Sequence, residues 1–318
     1  MDEERNSMIK GQDIGERYAL YNGDSAEVLR NIPGGAVHYI IYSPPFQSLY
    51  VYSNSDRDLG NCRTAEEFYR QFEYIGRELY RVLMPGRLMS FHCMNLPTSK
   101  ERDGYIGIRD FRGELIKFFQ DIGFIYHSEV CIWKDPVTAM QRTKALGLLH
   151  KQLKKDSCMS RQGIPDYLVT MRKPGENPER VTHTNESFPV AMWQRYASPI
   201  WMDINPNDTL QYKSAREAED ERHICPLQLP VIQRGIELWT NPGDTVLTPF
   251  MGIGSEVYMA VKMGRRGVGI ELKESYYRQE VKNVKNALEN VQPNLFDIMA
   301  EETDERTKNG GVSEQGIY

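Results

Sequence analysis

The sequence predicts an α/β fold with a mostly parallel sheet and helices on both of its faces. Apolar, strand-like runs alternate with amphipathic, helix-like segments through residues 18–133 and again through 230–291, an order typical of parallel sheets. Two of the apolar runs, Val37–Tyr42 and Thr245–Leu247, stop abruptly at turns rich in proline or glycine. Ligands of such sheets bind beyond the carboxyl ends of the strands, so these two turns are candidate functional sites.

The first half of the chain supplies strands and helices in strict alternation. A capping-box pattern, Thr64 to Glu67, opens a helix whose apolar residues recur at helical spacing as far as Leu83. Pro85-Gly86 is predicted to end this helix. The predicted elements are a strand at 18–21, a short helix at 25–31, a strand into Ser43, the helix from 64, a strand at 87–92, a helix at 111–121 and a strand at 124–133.

The alternation stops at residue 135, and the stretch as far as 222 is predicted to be an irregular insertion outside the sheet. A helix at 230–239, a strand into Pro249, a helix at 255–263, a strand at 267–270 and a helix at 275–291 follow it. The acidic, glycine-containing end is predicted to be disordered. The chain thus divides into a first half-domain at 1–135, an insertion at 136–222, a second half-domain at 223–295 and a tail at 296–318.

Composition favours a cytoplasmic enzyme or binding protein and excludes several other classes. The 318 residues contain no apolar run of 18 or more and begin with an acidic segment, so no membrane partner and no signal peptide are expected. The five cysteines are scattered without a Cys-x-x-Cys pair. This pattern favours a reducing compartment and argues against a disulfide framework or a metal cluster.

Basic residues concentrate in the predicted insertion. Between Lys134 and Lys173 nine basic and three acidic residues give a net charge of +6, so the rest of a chain of net charge −5 carries −11. Charge alone leaves two interpretations open, a solvated helix face and a surface that contacts phosphates. The candidate phosphate contacts are Lys144, Lys151, Lys154, Lys155 and Arg161.

The turn after the first apolar run has the composition of a binding site for a planar amine. Ser43 is followed by Pro44 and Pro45, which lack N–H donors and leave their carbonyls free to accept hydrogen bonds. Phe46 adds a flat aromatic face. Together these residues suit a ring that carries an NH2 group.

The turn after the second run is typical of nucleoside binding. Gly252 and Gly254 would let the backbone approach a ligand, and Glu271 follows Gly254 by 17 residues, near the spacing expected of a ribose-binding acid. Val257 occupies the place of the third glycine of a dinucleotide motif. A nucleoside without a pyrophosphate therefore fits better, and a purely structural turn is the alternative.

The two turns, in this order, resemble the DNA amino-methyltransferases with the β arrangement of motifs, in which the catalytic motif comes first and the cofactor motif last. The resemblance extends from about residue 18 to 291. It implies a Rossmann-like, mostly parallel methyltransferase sheet with an inserted target-recognition region, S-adenosylmethionine as cofactor and DNA as partner. The catalytic motif of the family falls on Ser43, Pro44, Pro45 and Phe46.

The cofactor motifs of the family are carried over residue by residue, with two departures. A further cofactor segment is similar to Cys225–Pro230. Thr248 stands where the family often has an aspartate, and Leu229 stands where it has a lysine. The positions that the resemblance assigns to the cofactor are Asp24, Pro249, Phe250, Gly252, Gly254, Ser255 and Glu271.

The implied reaction moves a methyl group to an exocyclic amino nitrogen of a base that has been flipped out of the duplex. Hydrogen bonds from the NH2 to Ser43 and to the Pro44 carbonyl would draw its lone pair out of conjugation, so positioning and fixed acceptors suffice and no metal is required. Methylation of cytosine carbon 5 is disfavoured because no cysteine follows a proline. Adenine N6 and cytosine N4 remain equally open.

Three other functions are retained as alternatives. An NAD-dependent oxidoreductase would have a third glycine at position 257, which is absent, and a histidine or lysine pair in the cleft. His92, His127 and His223 are interpreted as structural residues rather than acid catalysts. A non-catalytic nucleic-acid-binding protein leaves Ser43–Phe46 without a role. A methyltransferase acting on RNA or on a protein amide keeps the chemistry and changes the substrate. A homodimer and a separate restriction endonuclease are compatible with the sequence, which contains no nuclease motif.

Overall fold

The computed structural model describes residues 9–46, 59–62, 64–143, 146–211 and 226–289. The polar stretch at 47–58, Lys144, Cys225 and the tail at 296–318, on which several predictions fell, lie outside the described residues.

The described elements centre on one nine-stranded sheet and a two-stranded ribbon. Short 3-10 turns occupy 29–31, 59–61, 146–148 and 157–159. The strands are β1 (Ile9–Ile14), β2 (Tyr18–Gly23), β3 (Val37–Tyr42), β4 (Leu83–Met94), β5 (Leu96–Pro97), β6 (Ile108–Arg109), β7 (Ile125–Ile132), β8 (Asp166–Arg172), β9 (Ile200–Trp201), β10 (Thr245–Thr248) and β11 (Arg266–Glu271). The helices are α1 (Ser25–Val28), α2 (Ala65–Val82), α3 (Lys100–Asp103), α4 (Phe111–Ile122), α5 (Pro136–Thr143), α6 (His150–Lys155), α7 (Val190–Tyr196), α8 (Leu229–Trp239), α9 (Ser255–Lys262) and α10 (Glu274–Glu289).

The strand order is β1-β2-β11-β10-β3-β4-β8-β7-β9. The ladders from β2 to β4 are all parallel, while β1 pairs antiparallel with β2 and β8 pairs antiparallel with β4 and β7. The predicted mostly parallel sheet is confirmed. Its central feature is that β10 lies directly beside β3, with Leu247 opposite Ile40. Because these strands are parallel, the two turns singled out in the sequence leave the same edge of the sheet side by side.

Helices cover both faces of the sheet. On one face the aromatic stripe of α2, including Phe68 and Phe72, packs with Phe111 and Phe119 of α4. On the other face α8 places Val231 and its neighbours against Tyr39 of β3. Residues of β3 alternate between these two clusters because successive side chains of a strand point to opposite faces.

Helix α2 begins as its sequence predicts. The Thr64 Oγ1 accepts a hydrogen bond from the Glu67 backbone N–H at 3.1 Å, which satisfies one of the unpaired donors of the first turn. The predicted end of this helix is wrong. It ends at Val82, and β4 already runs through Pro85-Gly86, with Gly86 N–H donating to the Lys173 carbonyl at 3.0 Å.

The prediction that all of residues 135–222 lie outside the sheet is also wrong. Strand β8 falls inside this stretch and is a central strand between β4 and β7. Its interior is buried on both faces, although charged residues, Asp166 and Arg172, occupy its ends. An additional antiparallel strand, β1, was not predicted and pairs with β2 at the other edge. Within the described ranges, no helix combines the length and apolarity that crossing a membrane requires.

Candidate active site

The candidate site lies where β3 and β10 end side by side. The Ser43–Phe46 turn follows β3 and the turn at 249–254 follows β10. The two meet through aromatic rings, since the Tyr42 and Phe250 ring centroids are 5.8 Å apart. Neighbouring parallel strands thus bring two motifs together that are far apart in sequence.

Backbone conformation at the second turn requires glycine at two positions. Gly252 has φ +57° and Gly254 has φ +89°, both in the left-handed region where a side chain is strained. A Cβ at Gly254 would also lie 2.9 Å from the Glu280 Cβ on α10. Around Gly252 the space is open, because a Cβ there would meet no described atom within 4 Å. The turn therefore presents backbone without a side chain to a region that no described residue fills.

Glu271, at the end of β11, is locked onto this turn. Its Oε2 accepts a hydrogen bond from the Gly252 N–H and its Oε1 accepts one from the Lys273 N–H, both at 2.8 Å. Asn22 of β2 donates its Nδ2 to the Glu271 carbonyl at 2.8 Å. The carboxylate that the sequence predicted as the ribose acid thus has a fixed position beside the glycine turn.

The segment after β2 supports the same turn from the other side. Ser25 Oγ donates a short hydrogen bond to the Pro249 carbonyl. Asp24 Oδ1 accepts a hydrogen bond from the Ala26 N–H at 2.9 Å and caps α1. The structure therefore gives Asp24 a structural role, and its contact with a cofactor stays a prediction.

Val257 stands at the position of the third glycine of the dinucleotide motif, and α9 still packs closely against β11 there. Val257 of α9 packs against β11 where that strand carries Gly267 and Gly269. A Cβ at Gly267 would lie 2.5 Å from Val257 Cγ1, and one at Gly269 would lie 3.0 Å from Val257 Cγ2. The helix approaches the strand closely because the glycines are on the strand.

This half of the site fits a nucleoside cofactor such as S-adenosylmethionine. Open space faces Gly252, and the Glu271 carboxylate is an acceptor suited to hydroxyl groups. The buried hydroxyls of Thr248 and Ser255 have no hydrogen-bond partner among the described residues. Buried polar groups of this kind are rare unless a ligand or water satisfies them.

Two buried carboxyl groups lie behind the turn. Burial raises the pKa of Glu256 to about 8. Burial, together with the charges of Glu271 and Glu256, raises the pKa of Glu280 well above its usual range. The Glu256 carboxyl is therefore mostly protonated at pH values below this pKa.

The first turn is joined to a chain of polar side chains from three strands. Ser43 Oγ lies 3.2 Å from His92 Nδ1, at the end of β4. His92 Nε2 lies 3.1 Å from Asp166 Oδ2 of β8, an ion-pair contact that does not have the geometry of a hydrogen bond. Asp166 Oδ1 forms an ion pair with Lys134 Nζ at 2.5 Å. Burial alone would raise the pKa of Asp166, but His92 and Lys134 outweigh it, and the pKa is lowered.

Neither His92 nor Asp166 was among the site residues predicted from sequence. His92 was interpreted as structural, and the strand that carries Asp166 was placed in an insertion. Ser43 follows β3, His92 lies near the end of β4, and Asp166 begins the antiparallel β8. The three meet at one edge of the sheet through strand pairing, which no local sequence pattern records.

Phe46 is partly buried at the other side of the turn. Its ring centroid lies 6.1 Å from that of Phe111, at the start of α4, and it packs against the aromatic cluster of α2 and α4. Pro44 and Pro45 lie between Phe46, with its aromatic contact, and Ser43, with its contact to His92.

The basic residues do not form one surface. Lys151, Lys154 and Lys155 are exposed on α6, and Arg161 is half-buried and donates to the Gln162 carbonyl at 3.1 Å. At the far end of β8, Lys173 Nζ donates to the Leu83 carbonyl at 2.6 Å, where β4 begins. Arg172 and Lys173 thus belong to the opposite end of the sheet from the site.

Comparison with known proteins agrees with this geometry. The family model described as DNA methylase, for N6 and N4 methylation, matches residues 37–282. The chain is 23% identical over 259 residues to the type II methyltransferase M.BglII from Bacillus subtilis, covering 81% of this chain and 66% of that protein. It is 23% identical over 289 residues to M.MjaI from Methanocaldococcus jannaschii, covering 83% and 89%.

Solved structures show the same fold. A candidate DNA modification methylase from Thermus thermophilus, in complex with S-adenosyl-L-methionine, superposes with a TM-score of 0.64 at 22% identity, covering 85% of this chain and 94% of that one. The cytosine-N4-specific PvuII DNA methyltransferase superposes with a TM-score of 0.60 at 15% identity, covering 95% and 97%. At these identities the likeness establishes the fold alone.

The family match spans most of the chain, so the protein belongs to the N6/N4 DNA methylase family. The predicted class, an S-adenosylmethionine-dependent DNA amino-methyltransferase, is thereby confirmed.

Proposed function

We propose that the target base is held at the end of β3 and the cofactor at the end of β10, with the reacting atoms meeting between these two strands. The observation that carries this proposal is the direct pairing of β3 with β10, which sets Tyr42 and Phe250 in ring contact. No movement of a distant domain is needed to bring the two halves together.

In the base half, Ser43 Oγ and the Pro44 carbonyl accept hydrogen bonds from the target amino group. An exocyclic amine is a weak nucleophile because its lone pair is conjugated with the ring. Two fixed acceptors favour the geometry in which that lone pair is localised on nitrogen and points at the methyl donor. Pro45 keeps the turn rigid, and Phe46 provides the aromatic edge of the base site.

In the cofactor half, S-adenosylmethionine supplies an activated methyl group when bound. The backbone at Gly252 and Gly254 lines its binding site, and the Glu271 carboxylate holds its ribose hydroxyls. Pro249, Phe250 and Ser255 complete the turn. Asp24 contributes by fixing α1 against Pro249 through its neighbour Ser25.

We assign DNA contact to the exposed cations that follow β7. Lys151, Lys154 and Lys155 on α6, with Arg161 after it, would bind phosphates and position the duplex. Lys144 belongs to the same assignment from the sequence. The segment at 136–222 is then the target-recognition region, with β8 and β9 as the parts of it that are built into the sheet.

Transfer of labelled methyl from S-adenosylmethionine tests the function directly. Methylation-free duplex DNA, single-stranded DNA, RNA and denatured protein are offered in parallel, and nucleosides from the labelled DNA are identified by mass spectrometry. The proposal predicts label in DNA as N6-methyladenine or N4-methylcytosine. Label confined to RNA or protein, or in 5-methylcytosine, would contradict it.

Replacement of Phe46 by alanine tests the base half alone. Base–aromatic stacking contributes about 1–3 kcal/mol per base, so Phe46→Ala should weaken DNA binding in the methylation reaction roughly 5- to 100-fold and leave cofactor affinity within about twofold. The measurements are the DNA concentration at half-maximal rate and calorimetry of the cofactor. Tyr74→Ala, at an exposed aromatic of α2, is the control. Equal loss of both affinities would contradict the assignment.

A homodimer, a separate restriction endonuclease and a cytoplasmic location stay predictions. The mass-spectrometric readout above also decides between adenine N6 and cytosine N4 as the methylated nitrogen.

A further inference from the structure

His92 and Asp166, the side chains behind Ser43, have no part in the function proposed above. Ser43, His92 and Asp166 come from three adjacent strands, β3, β4 and β8. Alternation along each strand places them on one face, since Tyr39 and Ile41 precede Ser43 on that face and Leu168 follows Asp166 on it. The order Ser–His–Asp is therefore built into the register of the sheet.

The chemistry of each contact fixes which atoms of Asp166, His92 and Ser43 carry protons. Asp166 is buried, and Lys134 beside it keeps its carboxylate ionised. An ionised carboxylate only accepts hydrogen bonds, so the His92 proton belongs on Nε2, on the side of Asp166. The bare Nδ1 is then an acceptor, and the Ser43 hydroxyl donates its single proton to it at 3.2 Å.

A hydroxyl that donates to His92 offers only acceptor lone pairs to the target amine. We propose that His92, held by Asp166, is a positioning residue that orients Ser43 as an acceptor and receives, through Ser43, the proton that the amino group loses on methylation. This inference rests on the proposed placement of the target base at Ser43.

The step balances without any further reagent. As the N–C bond to the methyl carbon forms, the C–S bond breaks and its electron pair stays on sulfur, which leaves the amino nitrogen with one positive charge and two protons. One proton passes to Ser43 Oγ while the Ser43 hydroxyl proton passes to His92 Nδ1. The product is a neutral methylamine and an imidazolium beside the Asp166 carboxylate.

The surroundings of His92 suit this role. Its side chain is 12% exposed, enough for the proton to leave to solvent after the reaction. The charged groups that face it are Asp166 of β8 and Lys134 after β7. Arg112 and Glu129 pair on the α4 face, where Cys93 also lies and where burial raises the pKa of its thiol.

Single-turnover methyl transfer to methylation-free plasmid DNA tests the relay. General acid–base assistance contributes about 10²–10⁴-fold, so His92→Ala should lose rate in that range at saturating cofactor. His92→Gln, which keeps an acceptor near Ser43 but cannot carry the proton, should lose it as well.

Three further measurements separate a relay from a structural role. Added imidazole should restore His92→Ala and should leave Ser43→Ala unchanged. Nitrogen NMR of histidine-labelled enzyme should show the His92 ring protonated at Nε2, with its signals identified by their absence in His92→Gln. Control His127→Ala, at an exposed histidine whose Nδ1 is 2.9 Å from Ser128 Oγ, should keep the full rate.

The outcomes are distinguishable. Loss in Ser43→Ala with full activity in His92→Ala would overturn the relay and leave the proposed function intact. Full activity in Ser43→Ala would overturn the proposed function itself. Loss in His92→Ala that is unaffected by imidazole, or a ring protonated at Nδ1, would overturn the relay by making His92 a structural residue.

Discussion

The two halves of the site use different parts of the chain, backbone groups in the cofactor half and side chains in the base half. The cofactor half presents backbone groups of a single turn at 249–254, such as the Gly252 N–H that donates to Glu271. The base half uses side chains from three separate strands, with Ser43, His92 and Asp166 in contact. The first kind of site is encoded by local sequence and the second by sheet register. Electrostatics separates them too, since the cofactor half buries carboxyl groups with raised pKa values and the base half buries an acid with a lowered one.

Alanine replacements of one serine in each half, Ser43 and Ser25, test the difference between the halves with the largest expected effect. Ser43→Ala removes an acceptor at the reacting amine and should lower methyl transfer at saturating cofactor by about 10²–10³-fold, the usual effect of one such group. Its cofactor dissociation constant should stay within about twofold. Single-turnover kinetics and calorimetry measure the two quantities.

Ser25→Ala is the counterpart in the cofactor half, because Ser25 Oγ supports the Pro249 carbonyl. It should weaken cofactor binding and leave the rate at saturation nearly unchanged. A reversed pattern, with Ser25 controlling the rate and Ser43 the affinity, would show that the halves are assigned the wrong way round.

The raised pKa of Glu256 and the lowered pKa of Asp166 give the next largest effect, which is on the pH dependence of stability. The Glu256 pKa is raised from 4.5 to about 8 in the folded protein, so between these values the folded state holds a proton that the unfolded chain has released. Stability should therefore fall as pH rises through this window, by roughly 1.4 kcal/mol per pH unit and a few kcal/mol in all. Urea unfolding at pH 5, 6, 7 and 8 measures it.

Glu256→Gln should remove this contribution and flatten the profile. Asp166→Asn, with a shift of the opposite sign, serves as the contrast, because Asp166 stabilises the fold above its unfolded pKa and loses that contribution only in acid. Parallel pH profiles for wild type and Glu256→Gln would show that the Glu256 carboxyl does not titrate as the structure implies.

Cofactor affinity should depend on the charge of Glu271. Hydrogen bonds to charged groups contribute about 1.5–3 kcal/mol, so Glu271→Gln should raise the S-adenosylmethionine dissociation constant roughly 10- to 100-fold with a small effect on the rate at saturation. Glu274→Gln, at an exposed acid paired with Arg278, is the control. Unchanged affinity in Glu271→Gln would remove the ribose contact from the account.

Much of the fold and of the cofactor half could be predicted because their signals are local. The Thr64 cap, the aromatic stripe of α2 and the spacing from Gly254 to Glu271 each lie within a short window of sequence. The structure brings Glu271 onto the Gly252 turn as this spacing indicated.

The base half could be predicted only as far as Ser43–Phe46. His92 and Asp166 come to that turn through pairing of strands far apart in the chain, which no local pattern records. Strand β8 was not predicted because charged residues at its ends and basic residues around it obscure the short buried run at its centre. Val257 shows the same limit of local patterns, because the glycine that the dinucleotide motif lacks at this position is replaced across the interface by Gly267.

The contact between Gly267 and Val257 predicts the smallest of the expected effects, a change in stability. Gly267→Ala forces a Cβ into Val257 and should destabilise the protein by about 1–3 kcal/mol, as overpacking does. Val257→Ala in the same chain should restore part of the loss. Urea unfolding of the two single variants and the double variant measures the coupling, and strictly additive effects would contradict the contact.

The central claim is that methyl donor and target amine meet between β3 and β10. A crystal structure of the protein with S-adenosylhomocysteine and a duplex containing its methylation site tests it most directly. The account predicts the thioether sulfur beside the turn at 249–254 and the target amino nitrogen within roughly 2.6–3.2 Å of Ser43 Oγ. A flipped base held by another edge of the sheet, or a cofactor bound away from Gly252, would contradict it.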